Sequence, residues 1–469
     1  MLQTLKNAWR TKDIRSKLLF TLLILLLYRI GTVIPVPFVD AHDVTTQMSG
    51  TILQYMNLLS GGSLGQATLF ALGVSPYINS SIIIQLLAVV FPKLGELSKT
   101  DKKKMGLITR ITTVALAIIT AIGYYFLIAN GKLGIGLAPA ATSGQNDAFW
   151  FYGIVIVACY VAGASLVMWL ADRINERGIG NGVSMILFAN IVVSLPNQCI
   201  SMYDIIAPTF GYDHPVGYVI VSILFVLVLI AVILAMTVFV IFITGSERRI
   251  PVQYAKRVVG RKMYGGQSSN LPIKLNMTGV MPVIFASSIV SLIPTILVLF
   301  GKDGSGEGFW HGCARFFGSE GFVYPLAFFV LIIGFAYFYT QITFDPVDVA
   351  NNLKKQGGAI PGIRQGRPTS DYIKKILNKI TLAGALFLSV VAVIPVIVSP
   401  HVIEPLLAWI INGSGYYENA ETYLHQVAGY YSGVFTFGGT SLIIVVGVAL
   451  ETFRELEAQL TMRNYKGFL

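Results

Sequence analysis

The chain alternates long runs without charge and short, polar, mostly basic connectors. Nine runs free of Asp, Glu, Lys and Arg exceed 20 residues: Val44–Pro92, Ile111–Gly131, Ala148–Ala171, Gly178–Tyr203, Pro215–Ser246, Leu275–Gly301, Gly321–Phe344, Ile380–Ile403 and Thr422–Leu450. A tenth, Leu18–Pro37, is interrupted only by Arg29. About 20 helical residues cross a hydrocarbon core of about 30 Å, so each run holds one crossing. Val44–Pro92 is too long for one. It breaks at Ser60-Gly61-Gly62-Ser63 and again near Gly73–Pro76, leaving Val74–Phe91 as the second span. The pattern predicts an all-α polytopic membrane protein of ten transmembrane helices.

Charge then orients the spans. Of 34 Lys and Arg, 30 fall in residues 1–17, 92–110, 171–182, 244–274, 345–379 and 451–469, which share one side if the runs alternate. The opposite side holds only Lys132, Lys302 and Arg315. The positive-inside rule places both termini in the cytoplasm. Composition agrees: 54% of residues are hydrophobic and 12% charged, against about 25% charged in soluble domains. Three cysteines, Cys159, Cys199 and Cys313, make neither a disulfide framework nor a four-ligand zinc site. The first apolar run has no small-residue cleavage site and reaches full span length, so it reads as a span and not a signal peptide.

No Asp or Glu lies in the middle of a span, which disfavours a proton-coupled carrier. No phosphate-binding loop, HExxH, GxSxG or kinase signature is present. The chain reads as a conduit or scaffold and not an enzyme. A solute transporter with sites built from carbonyls and hydroxyls stays open as an alternative. Ile52–Ala67 is shorter than a span and rich in Gly and Ser; it is either an outer interfacial loop or a re-entrant element lining a watery cavity. Arg29, near the outer end of the first span, is expected to snorkel to the outer headgroups. Gly178 and Gly180 read as glycines of a tight turn before Asn181, while Gln85 and Thr278 are polar groups in need of partners. Arg248, Arg249, Lys256, Arg257, Arg261 and Lys262 fit a topology signal, an anionic-lipid contact, or a docking face for an acidic protein or ribosomal RNA. The stretch Gly357–Gly366 predicts a structured turn with Arg364 at its tip.

Seven separated motifs, in order, resemble the SecY family of bacterial protein-translocation channel subunits over essentially the whole chain. They are YRIGTVIPVP (Tyr28–Pro37), SGGSLG (Ser60–Gly65), FALGVSPYINSSIIIQLL (Phe70–Leu87), ERGIGNGVS (Glu176–Ser184), the basic stretch Arg248–Tyr264 with LPIKLNMTGVMPVIFASS (Leu271–Ser288), NLKKQGGAIPGIRQG (Asn352–Gly366) and FGGTSL (Phe437–Leu442). The resemblance implies two inverted five-helix halves forming a clamshell around a central pore. The cytoplasmic N-terminal segment is 1–17, the N-terminal half 18–195, an outer hinge loop 196–216, the C-terminal half 217–450 and a cytoplasmic tail 451–469. Loops 244–274 and 345–379 project into the cytoplasm.

The resemblance also implies roles. Residues 52–67 correspond to a plug, with Ile52, Tyr55, Met56, Leu58, Leu59, Gly61, Gly62 and Leu64 as its packing residues. Val74, Ile78, Val183, Leu187, Ile284 and Ile444 correspond to an apolar pore ring, a gasket that offers a moving chain no binding site. Gln85, Asn181 and Thr278 correspond to a polar lateral gate between the second and seventh spans, parted by the burial energy of an apolar signal sequence. Arg248, Arg249, Lys256, Arg257, Arg261 and Lys262 of the first loop, with Arg364, would dock the SecA ATPase or a translating ribosome. Gln365 stands where the family's turn has a second proline, which predicts a looser turn. Further implied partners are SecE, SecG, signal sequences of secretory proteins and membrane lipids of the bacterial inner membrane. No cofactor, metal, catalytic residue, DNA or small-molecule substrate is implied.

Overall fold

The computed structural model describes residues 2–40, 57, 60–129, 136–137, 148–210, 216–254, 257–259, 262–264, 268–299, 323–398 and 437–466. These are helical nearly throughout, as an apolar medium demands, because a helix satisfies its own backbone polar groups. A short amphipathic helix α1 (Leu2–Arg10) leads into α2 (Lys12–Gly31). Next come α3 (Ser75–Val90), α4 (Pro92–Thr100), α5 (Lys102–Ala129), α6 (Ala148–Arg177), α7 (Gly182–Phe210) and α8 (Val216–Gly245). The second group is α9 (Met281–Leu299), α10 (Val323–Thr343), α11 (Pro346–Lys355), α12 (Arg367–Val398) and α13 (Leu442–Lys466), the last preceded by a π turn at Phe437–Ser441.

Among the described residues, five stretches are long and apolar enough to cross a membrane: Lys103–Ala129, Trp150–Arg177, Val226–Gly245, Val323–Lys355 and Arg367–Val398. Ser75–Val90, Gly182–Pro196 and Met281–Val290 are apolar but shorter. All ten apolar runs carry at least part of a described helix, and residues 422–436 of the last, Thr422–Leu450, lie outside the described residues. Helix α8 exposes Ile220, Leu224, Leu227, Val228 and Phe242. Such a face is costly in water and at home in lipid.

The helices pack in two groups. In one, α3 lies on α5, α5 on α6, and α6 on α2; in the other, α9 lies on α10, α10 on α12, and α12 on α8. The groups meet along two seams, α3 against α9 on one side and α7 against α8 and α13 on the other. One apolar core runs through both, from Tyr28 and Phe70 to Phe285 and Ile332. Close approach depends on small residues: a Cβ at Gly163 of α6 would lie 1.9 Å from the Leu69 carbonyl oxygen. Beneath the groups, Ala8, Ile14, Ile179 and Leu456 bury together, joining α1 to α13.

Two expectations change here. Most of the 196–216 stretch expected as a hinge loop is helix, because α7 carries past Pro196 to Phe210. A proline removes one N–H from the ladder and leaves the remainder intact in a membrane helix. The basic stretch 244–274 contains strands and not only loop: β3 (Glu247–Tyr254) pairs antiparallel with β6 (Ser268–Lys274), enclosing a smaller ladder of β4 (Arg257–Val259) and β5 (Lys262–Tyr264). A third strand, β7 (Gly358–Ala359), comes from the other basic loop and pairs with Gln253 and Tyr254. Minor strands β1 (Val39–Asp40) and β2 (Gly136–Leu137) pair elsewhere.

Candidate functional site: a constriction, its cover and its seam

Four helices place one or two apolar side chains each near their N-terminal ends. Val74 caps α3 and Ile78 follows one turn later; Val183 and Leu187 open α7; Ile284 lies in the first turn of α9 and Ile444 in that of α13. None of the six is more than 9% exposed. Five of them, all but Val183, line a single cavity of about 20 Å³, room for about one water. Ser60, Gly73, Ser75, Ser287 and Ser288 complete its wall. The hydroxyls of Ser287 and Ser288 both donate to the Ile284 carbonyl, at 2.8 and 2.9 Å, so both hydroxyl hydrogens are engaged on their own helix.

The segment over this cavity is held by its own polar groups. The Asn57 carboxamide oxygen accepts from the Gly65 N–H at 2.8 Å, and the Asn57 carbonyl accepts from the Gly62 N–H and the Ser60 hydroxyl. Asn57 thus organises the turns 60–65, a role the sequence reading missed; an Asx side chain ahead of a Gly-Ser run was the available signal. Gly61 and Gly62 have φ of +69° and +87°. Leu64 is buried and its carbonyl accepts from the Tyr124 hydroxyl. The segment then leans on α2: Leu69 N–H donates to the Ile34 carbonyl, and Phe70 stacks on Tyr28. Ile52, Tyr55, Met56, Leu58 and Leu59 lie outside the described residues.

Arg29 does not reach outward to headgroups. Its guanidinium turns in, donating to the Ala189 carbonyl of α7 at 3.1 Å beside Asn190, whose carboxamide donates to the Tyr28 hydroxyl. The Ala189 carbonyl and the Thr32 hydroxyl, 3.5 Å from Nη1, are the partners this inward conformation gives the guanidinium.

The three polar residues expected at one gate are spread over different tasks, and no hydrogen bond joins any two of them among the described residues. Asn181 is an N-cap: its carboxamide oxygen accepts from Val183 and Ser184 N–H at 3.1 and 3.4 Å. Thr278 sits half-buried in the turn before α9. Gln85 alone faces a seam. Its amide donates to Ser81 at 3.0 Å, and its carbonyl accepts from the Tyr339 hydroxyl of α10. Tyr339 rests on Phe285 of α9, ring centroids 5.0 Å apart. Tyr339 was invisible in the sequence, where it is one tyrosine in an aromatic helix.

The basic loops form one body. Ile250, Val252 and Ile273 from the first, Leu353 and Ile360 from the second, and Ile373, Leu377 and Ile380 from α12 share a core. Arg248 and Arg249 point outward from β3, Arg249 pairing with Glu247 at 2.7 Å. Arg364 is exposed on the turn, whose glycines Gly362 and Gly366 have φ of +80° and +98°. Gln365 does not slacken the turn but fastens it, donating to the Gly358 carbonyl at 3.1 Å. Lys256 and Arg261 lie outside the described residues, and of Arg257 and Lys262 only the strand backbone is described.

Comparisons with known proteins give one family. A SecY family match spans residues 68–453. The protein translocase subunit SecY of Streptomyces galbus is 41% identical over 479 residues, and that of Mycobacterium tuberculosis strain H37Rv 40% over 484, each covering 100% of both chains. Among solved structures, a protein-conducting channel superposes with TM-score 0.58 at 17% identity, covering 94% of this chain and 91% of that one. A SecY channel whose plug domain stabilises the closed state and maintains a membrane seal superposes at 0.59 and 16%, with the same coverage. Canine Sec61 from a ribosome–channel complex gives 0.55 and 15%, again covering 94% and 91%.

Proposed function

Because the chain belongs to the SecY family, we propose that it is the pore-forming subunit of a Sec channel, which passes unfolded polypeptides across the bacterial inner membrane and releases apolar helices sideways into lipid. The observation that carries this reading is the convergence of Val74, Ile78, Leu187, Ile284 and Ile444 from four helices on one water-sized cavity beneath a glycine-rich cover. An apolar collar excludes hydrated ions at rest and yields to a chain without binding it.

In this reading ten spans form two inverted halves, 18–195 and 217–450, with both termini cytoplasmic. Residues 52–67 plug the outer side, as the plug domain of the related SecY channel seals that protein. The α3–α9 seam is the lateral gate, with Gln85 the polar group that faces it. The body carrying Arg248, Arg249, Lys256, Arg257, Arg261, Lys262 and Arg364 receives SecA or a ribosome, and canine Sec61 in its ribosome complex supports the second. SecE and SecG complete the complex, and the partners supply the energy.

Single cysteines at Ile78 and Ile284 test the pore. A secretory chain stalled in transit and carrying one cysteine crosslinks to both, in a manner dependent on SecA or the ribosome. Active complexes that crosslink at neither position, while lipid-facing control cysteines react, would refute the ring.

A further inference from the structure

Arg29 is an arginine at membrane depth whose neighbours explain its position but not its charge. Nη2 donates to the Ala189 carbonyl, and Nη1 lies 3.5 Å from the Thr32 hydroxyl. Nε is buried without a hydrogen-bond partner among the described residues. No carboxylate pairs with Arg29 among the described residues. A guanidinium stays protonated there, so a net positive charge persists. Holding a charge at this depth is costly, and two neutral acceptors are an incomplete return for it.

The location of that charge is specific. Ala189 follows Leu187 of the ring by two residues on α7. Over the guanidinium lies Gly61 of the cover: a Cβ there would sit 3.1 Å from both Nη1 and Nη2, and 2.9 Å from the Asn190 carboxamide oxygen. The cover therefore closes directly onto the cation through a residue with no side chain. Arg29 is partly exposed with the cover in place, and the cover's departure would uncover the Nη1 and Nη2 side that Gly61 lies against.

We infer that Arg29 is the charge-selecting residue of the open pore: masked by Gly61 at rest, it faces the moving polypeptide beside the ring and favours acidic over basic stretches. The inference rests on the channel and plug reading above. Two unit charges about 6 Å apart through water interact enough to change passage about threefold.

The test uses the full chain with SecE, SecG and SecA in proteoliposomes held at zero membrane potential, so that no external field acts on cargo charge. Two preproteins differ only in a mature-region cluster, four aspartates in one and four lysines in the other. The wild-type channel exports the acidic form faster. Arg29→Gln brings the acidic-to-basic ratio down about threefold or more towards unity, and Arg29→Lys keeps it. Because the readout is a ratio within one preparation, a lower yield of folded Arg29→Gln channel does not obscure it. An unchanged ratio in Arg29→Gln overturns the inference, as does Arg29→Lys behaving like Arg29→Gln. A second variant, Arg29→Cys, is labelled by a cationic thiol reagent only in channels holding a stalled chain; equal labelling at rest would also overturn it. If the wild-type complex exports neither preprotein, nor one with an unmodified mature region, the channel reading itself fails.

Discussion

Tyr339→Phe is the cleanest probe of the seam between the helix groups. It deletes one hydroxyl, keeps the ring tilted against Phe285 and, among the described residues, leaves the Gln85 side chain bonded to Ser81 alone. Interhelical hydrogen bonds in membranes average about 0.6 kcal/mol and reach about 1.7. A half-buried Gln85 carbonyl without its donor keeps the loss near ~1 kcal/mol, about a fivefold shift towards the parted state. A buried methylene is worth about 0.8 kcal/mol, so the lost bond equals little more than one methylene of signal sequence. The assay is export of preproteins whose signal cores lose methylenes stepwise by Leu→Val and Val→Ala changes. Tyr339→Phe is expected to displace the export curve by about one methylene towards weaker signals and to leave a full-strength signal unaffected. Gln85→Leu should match it, and the double variant should add nothing. Superimposed curves, or additive single effects, would refute the idea that this bond sets the threshold.

Three other outcomes follow from the geometry. Ile284→Asn places a carboxamide in a collar of otherwise apolar residues, and resting ion conductance in planar bilayers should rise well above wild type while ATP-driven export persists. Arg364→Ala removes an exposed charge from a turn that Gln365 and the positive-φ glycines hold independently. Its thermal stability should be unchanged, and SecA or ribosome binding should weaken at least about tenfold, the low end for losing a hydrogen bond to a charged group. Ile250→Ala empties part of a core both loops share, costing the body about 2–5 kcal/mol. Limited proteolysis should then cut within 244–274 and 345–379 together, and cleavage confined to the first loop would count against the shared core.

Much of the helical framework is legible in the chain because one physical rule dominates it: charge is excluded from apolar runs of span length. Residues whose environment is set locally follow the same logic, as Asn181 and its glycines form a helix start. What stays hidden depends on distant partners. Gln85 announces a need for a hydrogen bond, but the donor is 254 residues away in sequence. Arg29 offers the choice of headgroup or inward carbonyl, and only the apposition of α2 and α7 decides it. The strands of the first basic loop are obscured because β3 alternates only over Ile250 and Val252, and the partner that makes their burial worthwhile includes Leu353 from another loop. Charge density there reads as solvated connector.

That shared core bears on how such proteins can be recombined. β3 and β6 leave α8 and feed α9, whereas β7 lies between α11 and α12, so two stretches that look like independent insertions close one interior. Neither is a module. A chimera that exchanges only residues 244–274 with a relative at 40% identity sets foreign side chains against Leu353, Ile360 and Ile373, and a chimera of 345–379 alone meets the converse mismatch. The fold of either stretch is therefore transferable only when both stretches and the start of α12 travel as a set, and a failed single-loop graft reports on packing and not on recognition.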